Sequence, residues 1–307
     1  MQKQQKKYPN FRDESYVSIV EQACTKVVGF RELYKELERS ITINGKSKSA
    51  LENYSRQLAH LALHYNRMPL ELDAEEVMDY LYQVKSNGEA SDSFFRFTVH
   101  GMRYACKMRG LDYAQFELPS LKGPKKLPVV LNGSEIKALL SSCKLLRHRL
   151  IIGLCYGCGL RSSEVQHLEP SYIDLERKML HVHQGKGLKD RCVPLGELLC
   201  RGITGYLDSH VPVKYMFESK TGEPMTGNGI RWVVKNAASQ AGVTKDIYPH
   251  TLRHSFATHL LENDVNIVHI KDLLGHKRIE TTLIYLQVAQ PKSGKMLNPL
   301  DALYGLG

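Results

Sequence analysis

The stretch of the chain that decides its fold is HTLRHSFATHLLENDVNIVHIKDLLGHKRIETTLIY, at residues 250–285. Its pattern predicts three consecutive helices, over 251–263, 266–274 and 279 to about 288. At helical spacing, His250, Arg253 and His254 share one side of the first of these helices. A single helix face therefore carries three basic side chains, and a tyrosine, Tyr285, closes the stretch.

Ahead of this stretch, the sequence predicts a small β-hairpin. The residues from Met179 to Gln184 alternate apolar and polar side chains, which is typical of a half-buried strand. Gly185 to Asp190 form a tight turn, and the residues from Arg191 to Leu195 form the returning strand. The segments on either side are predicted helices, over 136–143, 147–157, 161–167, 196–208 and 226–241. This half of the chain is therefore mainly α-helical with a small antiparallel β-sheet.

The amino-terminal part of the chain is predicted to be entirely helical. Apolar side chains between 49 and 65 recur at steps of three and four residues, which is helical periodicity. The predicted helices of this part are 30–40, 49–65, 73–84 and 91–109. Residues 1–27 are a polar extension whose pattern supports no firm assignment. We therefore predict one helical domain over 28–118.

A Pro-, Gly- and Lys-rich segment, PSLKGPKKLP, follows at 119–128 and has no periodicity. It is typical of an interdomain linker. Its lysines either follow a phosphate backbone or are simply solvated, and both alternatives stay open. The second domain is then predicted to span 129–307.

Composition narrows the function classes. The chain has 307 residues and a formal net charge of +10, which favours a polyanionic partner such as a nucleic acid. No apolar run approaches the roughly 20 residues that a membrane helix needs, and the first ten residues lack the apolar core of a secretory signal. We therefore expect a cytoplasmic protein with no membrane contact.

The cysteines argue against both a disulfide framework and a metal centre. There are seven of them, an odd number, and they are scattered along the chain. Cys155 and Cys158 form a C-x-x-C pair, but no second pair or histidine pair follows at ligand spacing. We expect two small, buried helix residues there, and we predict neither a metal site nor a cofactor.

Four separated segments then need a common explanation. They are GLRSSE at 159–164, GKG at 185–187, HTLRH at 250–254, and LLGH at 273–276 with TTLIY at 281–285. Together these segments closely resemble the tyrosine recombinase family, which includes Xer-type recombinases and the integrases of phages, transposons and integrons. The resemblance covers about residues 28–290. It implies a two-domain, C-shaped DNA clamp, made of a helical SAM-like core-binding domain and a catalytic domain.

Six positions match the catalytic pattern of that family, and the resemblance gives each a role. They are Arg161 for the first arginine, Lys186 for the hairpin lysine, His250 and Arg253 for the H-x-x-R pair, His276 for the position held by His or Trp, and Tyr285 for the nucleophile. The nearest rivals of the hairpin lysine are Lys189 and Arg191, and the rival phenols are Tyr248 and Tyr304. His254 belongs to the motif, but we expect it to be structural.

The residue types suit phosphoryl transfer. Extra negative charge develops on the non-bridging oxygens of the phosphate in the transition state, and two guanidiniums, Arg161 and Arg253, can hold it through charge-assisted hydrogen bonds. His276 would add a further hydrogen bond to the phosphate. Because arginine does not titrate and its fork is planar, it can supply the charge that Mg²⁺ supplies elsewhere.

Proton transfer completes the expected chemistry. A phenol is a weak nucleophile at its ordinary pKa of about 10, so Tyr285 needs a base. His250 is the expected proton acceptor, and Lys186 on the hairpin tip is the expected donor to the leaving 5′-oxygen. The resulting 3′-phosphotyrosyl bond keeps the energy of the broken phosphodiester, so no ATP is needed.

The resemblance also implies the partners. The expected substrate is a duplex DNA core site with inverted arms, on which a homo-tetramer acts at two sites and exchanges strands through a Holliday junction. Residues 296–304 (MLNPLDALY) are predicted to form a tail helix that docks either on a neighbouring subunit or on its own domain. The alternatives are a type IB topoisomerase-like or telomere-resolvase activity, and a non-catalytic DNA-binding relative.

Overall fold

The computed structural model describes residues 17–88, 91–114, 116, 127–183, 190–219 and 221–290. The chain forms two compact units, Met1–Pro124 and Lys125–Gly307, and each has a hydrophobic core of its own. Of the predicted linker, only residues 127 and 128 are described. Among the described residues, no helix is both long and apolar enough to cross a bilayer.

The first unit is a bundle of helices. They are α1 (Ile19–Lys26), α2 (Phe30–Ile43), α3 (Lys48–Tyr65), α4 (Ala74–Ser86) and α5 (Asp92–Met108), with a 3-10 turn at Pro69–Glu71. The starts of four of these helices are set by side-chain caps: Ser18, Ser47, Asp73 and Ser91 each accept a hydrogen bond from a backbone N–H in the first turn. The four helices predicted for this region are confirmed.

Helix α1 was not predicted. It lies within the segment that the sequence left as an extension, and it packs against α3. Ala23 and Val27 are buried in the core of the first unit. An eight-residue helix has too few turns to show a clear period, and packing supplies most of the stability of such a short helix. The rest of the extension, residues 1–16, lies outside the described residues.

The second unit combines eight helices with one small sheet in its described part. The helices are α6 (Gly133–Ser142), α7 (Leu146–Gly157), α8 (Ser162–Gln166), α9 (Glu197–Ser209), α10 (Gly227–Gln240), α11 (Pro249–Glu262), α12 (Ile267–Leu274) and α13 (Glu280–Leu283). Single 3-10 turns occur at Pro170–Tyr172 and Ile284–Gln287. The predicted fold class, mainly helical with a small antiparallel sheet, is confirmed.

The sheet has three antiparallel strands in the order β1 (Ile173–Asp174), β2 (Met179–Val182) and β3 (Arg191–Pro194). Strands β2 and β3 are the predicted hairpin, and Leu180 pairs with Val193 on the buried side. Strand β1 was missed because two residues are too few to show an alternation. The tip of the hairpin, residues 184–189, lies outside the described residues.

Helix α7 is the centre of the second unit. It is apolar around most of its circumference, with Ile151, Ile152 and Leu154 fully buried, and it packs against both α9 and α11. Cys155 and Cys158 lie at its end, where burial raises the pKa of each thiol to about 12. Because α11 rests on this buried helix, the predicted site residues that α11 carries have a rigid support.

Candidate active site

Arg253 lies in the interior of α11 and is only 2% exposed. Its two terminal nitrogens donate to backbone carbonyls of two other segments, Nη1 to Gly159 at 2.5 Å and Nη2 to Leu274 at 2.6 Å. Burial, followed by the charge of Arg161, lowers the pKa of Arg253 to about 10, so the side chain is still charged at neutral pH. Arg253 therefore ties α11 to the loop before α8 and to the end of α12.

Arg161 stands at the start of α8, on a turn that only glycine permits. Gly159 has φ +60°, and a Cβ atom there would lie 2.5 Å from Cδ1 of Phe256. The turn directs Arg161 towards the end of α12, where its Nη2 donates to the Gly275 carbonyl at 3.3 Å. The side chain of Arg161 stays 26% exposed, so one arginine of the pair is accessible to a ligand.

The carboxyl end of α12 is the point where these arginines meet. Gly275 closes the helix in the left-handed conformation, which leaves the last carbonyls without helical partners. The carbonyls of residues 273, 274 and 275 accept hydrogen bonds from Arg191, Arg253 and Arg161 respectively. The negative end of the helix dipole favours this gathering of three guanidiniums.

Glu164 is the counter-charge of the cluster. Its carboxylate accepts two hydrogen bonds from Arg191, at 2.9 and 2.7 Å, and one from Arg161 Nη1 at 2.6 Å. Arg253 Nη1 lies 3.9 Å away. Burial by itself would raise the pKa of Glu164, but the hydrogen bonds and charges of the arginines outweigh it and lower the pKa to about 2. Three cations and one anion leave a net charge of about +2, which suits a phosphate.

Tyr285 is buried in this structure, with 2% of its surface exposed. It lies on the 3-10 turn Ile284–Gln287, and its hydroxyl is 3.1 Å from Nδ1 of His254. Burial raises the pKa of Tyr285, although the charges of Arg253 and Arg161 act in the opposite direction. Tyr285 is therefore protonated at neutral pH and lies within electrostatic reach of both arginines.

His250 occupies the first turn of α11 and is exposed to solvent. Its ring lies one helical turn from that of His254, with 6.3 Å between the ring centroids. Partial burial, with the charges of Arg253 and Arg161, lowers the pKa of His250 below its ordinary value. The imidazole is therefore neutral at pH 7 and able to accept a proton.

His276 follows directly after the end of α12. Its Nδ1 is 2.9 Å from the hydroxyl of Thr282, so Nε2 is the nitrogen that can reach a phosphate oxygen. Burial, followed by the charges of Arg253 and Arg161, lowers the pKa of His276 to about 4. The ring is neutral at pH 7 and can donate a hydrogen bond without adding charge.

A cavity of about 360 Å³ opens beside Arg161. Its walls come from α8 and from β2, and its polar lining includes Glu164, His167, His181 and His183. The accessible face of Arg161 thus borders a concave surface that carries three histidine side chains.

Residues 129–291 match the model of the phage integrase family. The chain belongs to this family of tyrosine recombinases. The chain is 34% identical over 263 residues to the tyrosine recombinase XerA of Thermococcus kodakarensis, which covers 84% of this chain and 91% of the relative. It is also 32% identical over 288 residues to the tyrosine recombinase XerD of Staphylococcus aureus, covering 87% and 97%.

The fold of this integrase-family protein is likewise that of known recombinases. The structure of the XerH site-specific recombinase bound to its difH substrate superposes with a TM-score of 0.65 at 19% identity. The match covers 87% of this chain and 90% of XerH. The predicted family and the function class, site-specific DNA recombinase, are confirmed.

Five of the six predicted site residues lie in the described part of the second unit. They are Arg161, His250, Arg253, His276 and Tyr285. Lys186 lies outside the described residues, as do its rival Lys189 and the rival phenol Tyr304. The other two rivals have partners of their own: Arg191 is bound to Glu164 within the arginine cluster, and the hydroxyl of Tyr248 donates to Asp246 at 2.7 Å.

The sequence analysis gave no role in the site to two residues that contact its members. Glu164 was quoted only as the last residue of the GLRSSE segment, although a carboxylate one turn after Arg161 was the available signal. His254 was expected to be structural, yet its ring contacts Tyr285. No local sequence pattern predicts the contact between His254 and Tyr285, because 31 residues separate them in the chain.

Proposed function

We propose that this recombinase cleaves and rejoins duplex DNA at specific sites through a covalent bond between a 3′-phosphate and Tyr285. One observation carries the proposal. Two guanidiniums from distant segments, Arg161 and Arg253, bind neighbouring carbonyls at the end of α12, and Tyr285 lies within the field of both. Such a site combines a nucleophile with positive charge placed in advance for a phosphate.

The arginines act on the phosphate. Arg253 is held rigidly by two backbone carbonyls, and Arg161 borders the accessible cavity. Their hydrogen bonds to the non-bridging oxygens strengthen as negative charge grows in the transition state, which lowers the barrier. His276 contributes one more hydrogen bond through Nε2.

The proton and bond changes balance without any further reagent. The phenol oxygen of Tyr285 bonds to phosphorus while its proton passes to the neutral imidazole of His250. The bond from phosphorus to the 5′-oxygen breaks, and Lys186 donates the proton that makes this oxygen a hydroxyl. A 5′-hydroxyl from the partner duplex then attacks the phosphotyrosine, which restores the phosphodiester and the phenol.

The substrate we propose is a duplex core site with inverted arms. Four protomers act on two such sites and exchange strands in pairs through a Holliday junction. Support comes from relatives that match along most of this chain and are tyrosine recombinases, and from the XerH structure, in which that protein is bound to its difH substrate. The net charge of +10 agrees with a polyanionic partner.

The test is a nicked suicide substrate, which traps the covalent complex as a slow band in a denaturing gel. The core site must first be found, from inverted repeats beside the gene or by selection from random duplexes. Wild type should form the band, and Tyr285→Phe should bind the site equally well but form none. Tyr248→Phe is the matched control and should behave as wild type. A band from Tyr285→Phe would contradict the proposal.

A second assay separates the proposal from the topoisomerase-like alternative. Supercoiled plasmid without a core site should stay supercoiled in the presence of the protein, because assembly on two specific sites precedes cleavage. Relaxation of this plasmid at the rate seen with a site-bearing plasmid would favour the alternative.

A further inference from the structure

The mechanism above leaves one polar contact of the nucleophile unused. The hydroxyl of Tyr285 lies 3.1 Å from Nδ1 of His254, and the two rings are 5.7 Å apart between centroids and inclined by 54°. Tyr285 belongs to a small apolar cluster that includes Phe256, Ile270 and Leu274, and His254 is itself half-buried. The contact is therefore formed inside the protein.

We propose that His254 is a positioning residue for Tyr285: its Nδ1 accepts the phenol's hydrogen bond and fixes the hydroxyl beside Arg253. This inference rests on the proposed function, since it concerns the same nucleophile. His254 does not touch the DNA phosphate in this scheme. It acts through Tyr285, whose oxygen must meet the phosphorus in line.

The local fold explains why Tyr285 needs such an anchor. The residue lies on a four-residue 3-10 turn, and the hydrogen-bond geometry of such turns is poor. Helix α11, in contrast, is 14 residues long and packs on the buried helix α7. A hydrogen bond from this short turn to α11 therefore holds the hydroxyl of Tyr285 in place against a rigid helix.

The protonation states define the direction of the hydrogen bond. Burial, with the neighbouring His250 and Arg253, lowers the pKa of His254 to about 4, so its ring is neutral at pH 7. The phenol keeps its proton because burial raises the pKa of Tyr285. In the site without DNA we assign the phenol as donor and Nδ1 as acceptor, with the imidazole proton on Nε2; the phenol turns this hydrogen to His250 only as its oxygen meets the phosphorus.

The experiment compares three substitutions of His254 in the full-length protein. An asparagine places an amide oxygen near the position of Nδ1, a glutamine places its amide near Nε2, and a leucine removes both. The readouts are the single-turnover rate of covalent complex formation on a suicide substrate, half-site affinity, and the melting temperature. His259→Leu is the matched control. His259 lies on the same helix as His254, and its Nδ1 likewise contacts a tyrosine hydroxyl, that of Tyr156, at 2.9 Å.

Cleavage by His254→Leu and His254→Gln should fall by about 10²-fold, the typical effect of a misplaced reacting group. His254→Asn should keep a rate within about tenfold of wild type because the acceptor is retained. Half-site affinity should be unchanged in all three, and His259→Leu should cleave as wild type does. Should the leucine variant not fold, the contrast between asparagine and glutamine still decides.

A chemically altered substrate locates the defect on the side of the nucleophile. With sulfur in place of the leaving 5′-oxygen, departure needs no proton, so a variant that impairs protonation of the leaving group recovers. The defect of His254→Gln should persist on this substrate, since the phenol must still be placed.

Three results would overturn the role of His254. They are wild-type rates for all three variants, equal loss in the asparagine and glutamine variants, and recovery on the sulfur substrate. Loss in His259→Leu equal to that in His254→Leu would overturn it as well, since the effect would then belong to α11 as a whole. The proposed function fails separately, by a covalent band from Tyr285→Phe, whatever the His254 variants do.

Discussion

Two arginines with the same predicted role differ in their surroundings. Arg253 is fully enclosed and holds two backbone carbonyls, whereas the side chain of Arg161 is 26% exposed. Removal of Arg161 takes away charge at the cavity and one hydrogen bond each from Glu164 and the Gly275 carbonyl, whereas removal of Arg253 leaves two buried carbonyls without donors. Because Arg161 is the less buried of the two, its substitution disturbs the packing less.

We expect Arg161→Ala to lower the cleavage rate by about 10²–10³-fold with little change in half-site affinity and only a modest fall in melting temperature, since Glu164 keeps both hydrogen bonds from Arg191. Arg253→Ala should lose as much cleavage and should also melt at a lower temperature, because the carbonyls of Gly159 and Leu274 lose their partner. Single-turnover cleavage and thermal melting of both variants are the measurements. Cleavage by Arg161→Ala within tenfold of wild type would count against its role.

At the scale of elements, the end of α12 holds the site together. Arg191, on β3, binds both Glu164 on α8 and the carbonyl of Leu273 on α12. This buried ion pair joins the sheet to two helices. The hairpin that carries the predicted lysine is thus attached through its returning strand to the arginine cluster.

Arg191→Gln should lower the free energy of unfolding by about 3–5 kcal/mol, because it leaves the buried carboxylate of Glu164 partly uncompensated. Urea unfolding of the wild type and the variant measures the difference. Lys178→Gln is the matched control: it removes a 2.6 Å ion pair with Glu197 that is exposed on both sides, so stability should change little. Equal effects from the two variants would contradict the structural role of Arg191.

The turn before α8 offers a second prediction at this scale. Gly159→Ala should destabilise the protein and lower cleavage, since the new Cβ atom meets Phe256 and φ is positive. Gly205→Ala is the control, because this glycine lies in α9 with open space around it. An alanine there should stabilise the helix by roughly 0.5–1 kcal/mol. An equal fall in the melting temperature of both variants would show that the turn does not require glycine at position 159.

At the scale of the whole molecule, stability should depend on the pH through its half-buried histidines. The folded pKa of His254 and of His276 is about 4, below the ordinary value of 6.5. Between these values the unfolded chain binds protons that the folded chain does not. The stability that these two neutral histidines contribute is therefore fully present above pH 6.5, and it is lost as the pH falls towards 4.

Melting temperatures measured from pH 7.5 to 4.5 should accordingly fall with the pH, and His276→Gln should show a shallower fall. Glu164 does not contribute to the fall in stability over this pH range. Its pKa is lowered from 4.5 to about 2, so the stability that it contributes is lost only below about pH 4.5. An equally steep fall in the variant would mean that His276 is not the group responsible.

Metal independence is the other property expected of the whole enzyme. Cleavage of the suicide substrate should proceed at an unchanged rate in excess EDTA, because Arg161 and Arg253 supply the charge that a metal ion would supply. A magnesium-dependent nuclease in the same buffer verifies the chelation. Activity that returns only on addition of Mg²⁺ would contradict the mechanism.

Local patterns determined much of this protein. Helical periodicity and turn residues predicted the long helices, because each of these signals lies within a few residues of the chain. The motif residues Arg161, Arg253 and Tyr285 were recognised as a set by their order and types. The family followed from that set before any contact was known.

Tertiary structure alone decided how those residues work. Helix α1 and strand β1 are too short to show a period and depend on packing. The meeting of Arg161, Arg191 and Arg253 at the end of α12, the burial of Glu164 and the contact of His254 with Tyr285 all join distant segments. Hydrogen bonds and burial depend on distance in space, and a linear pattern reports only neighbours along the chain. The sequence therefore predicted the residues of the site, and the fold determined which of their side chains contact one another.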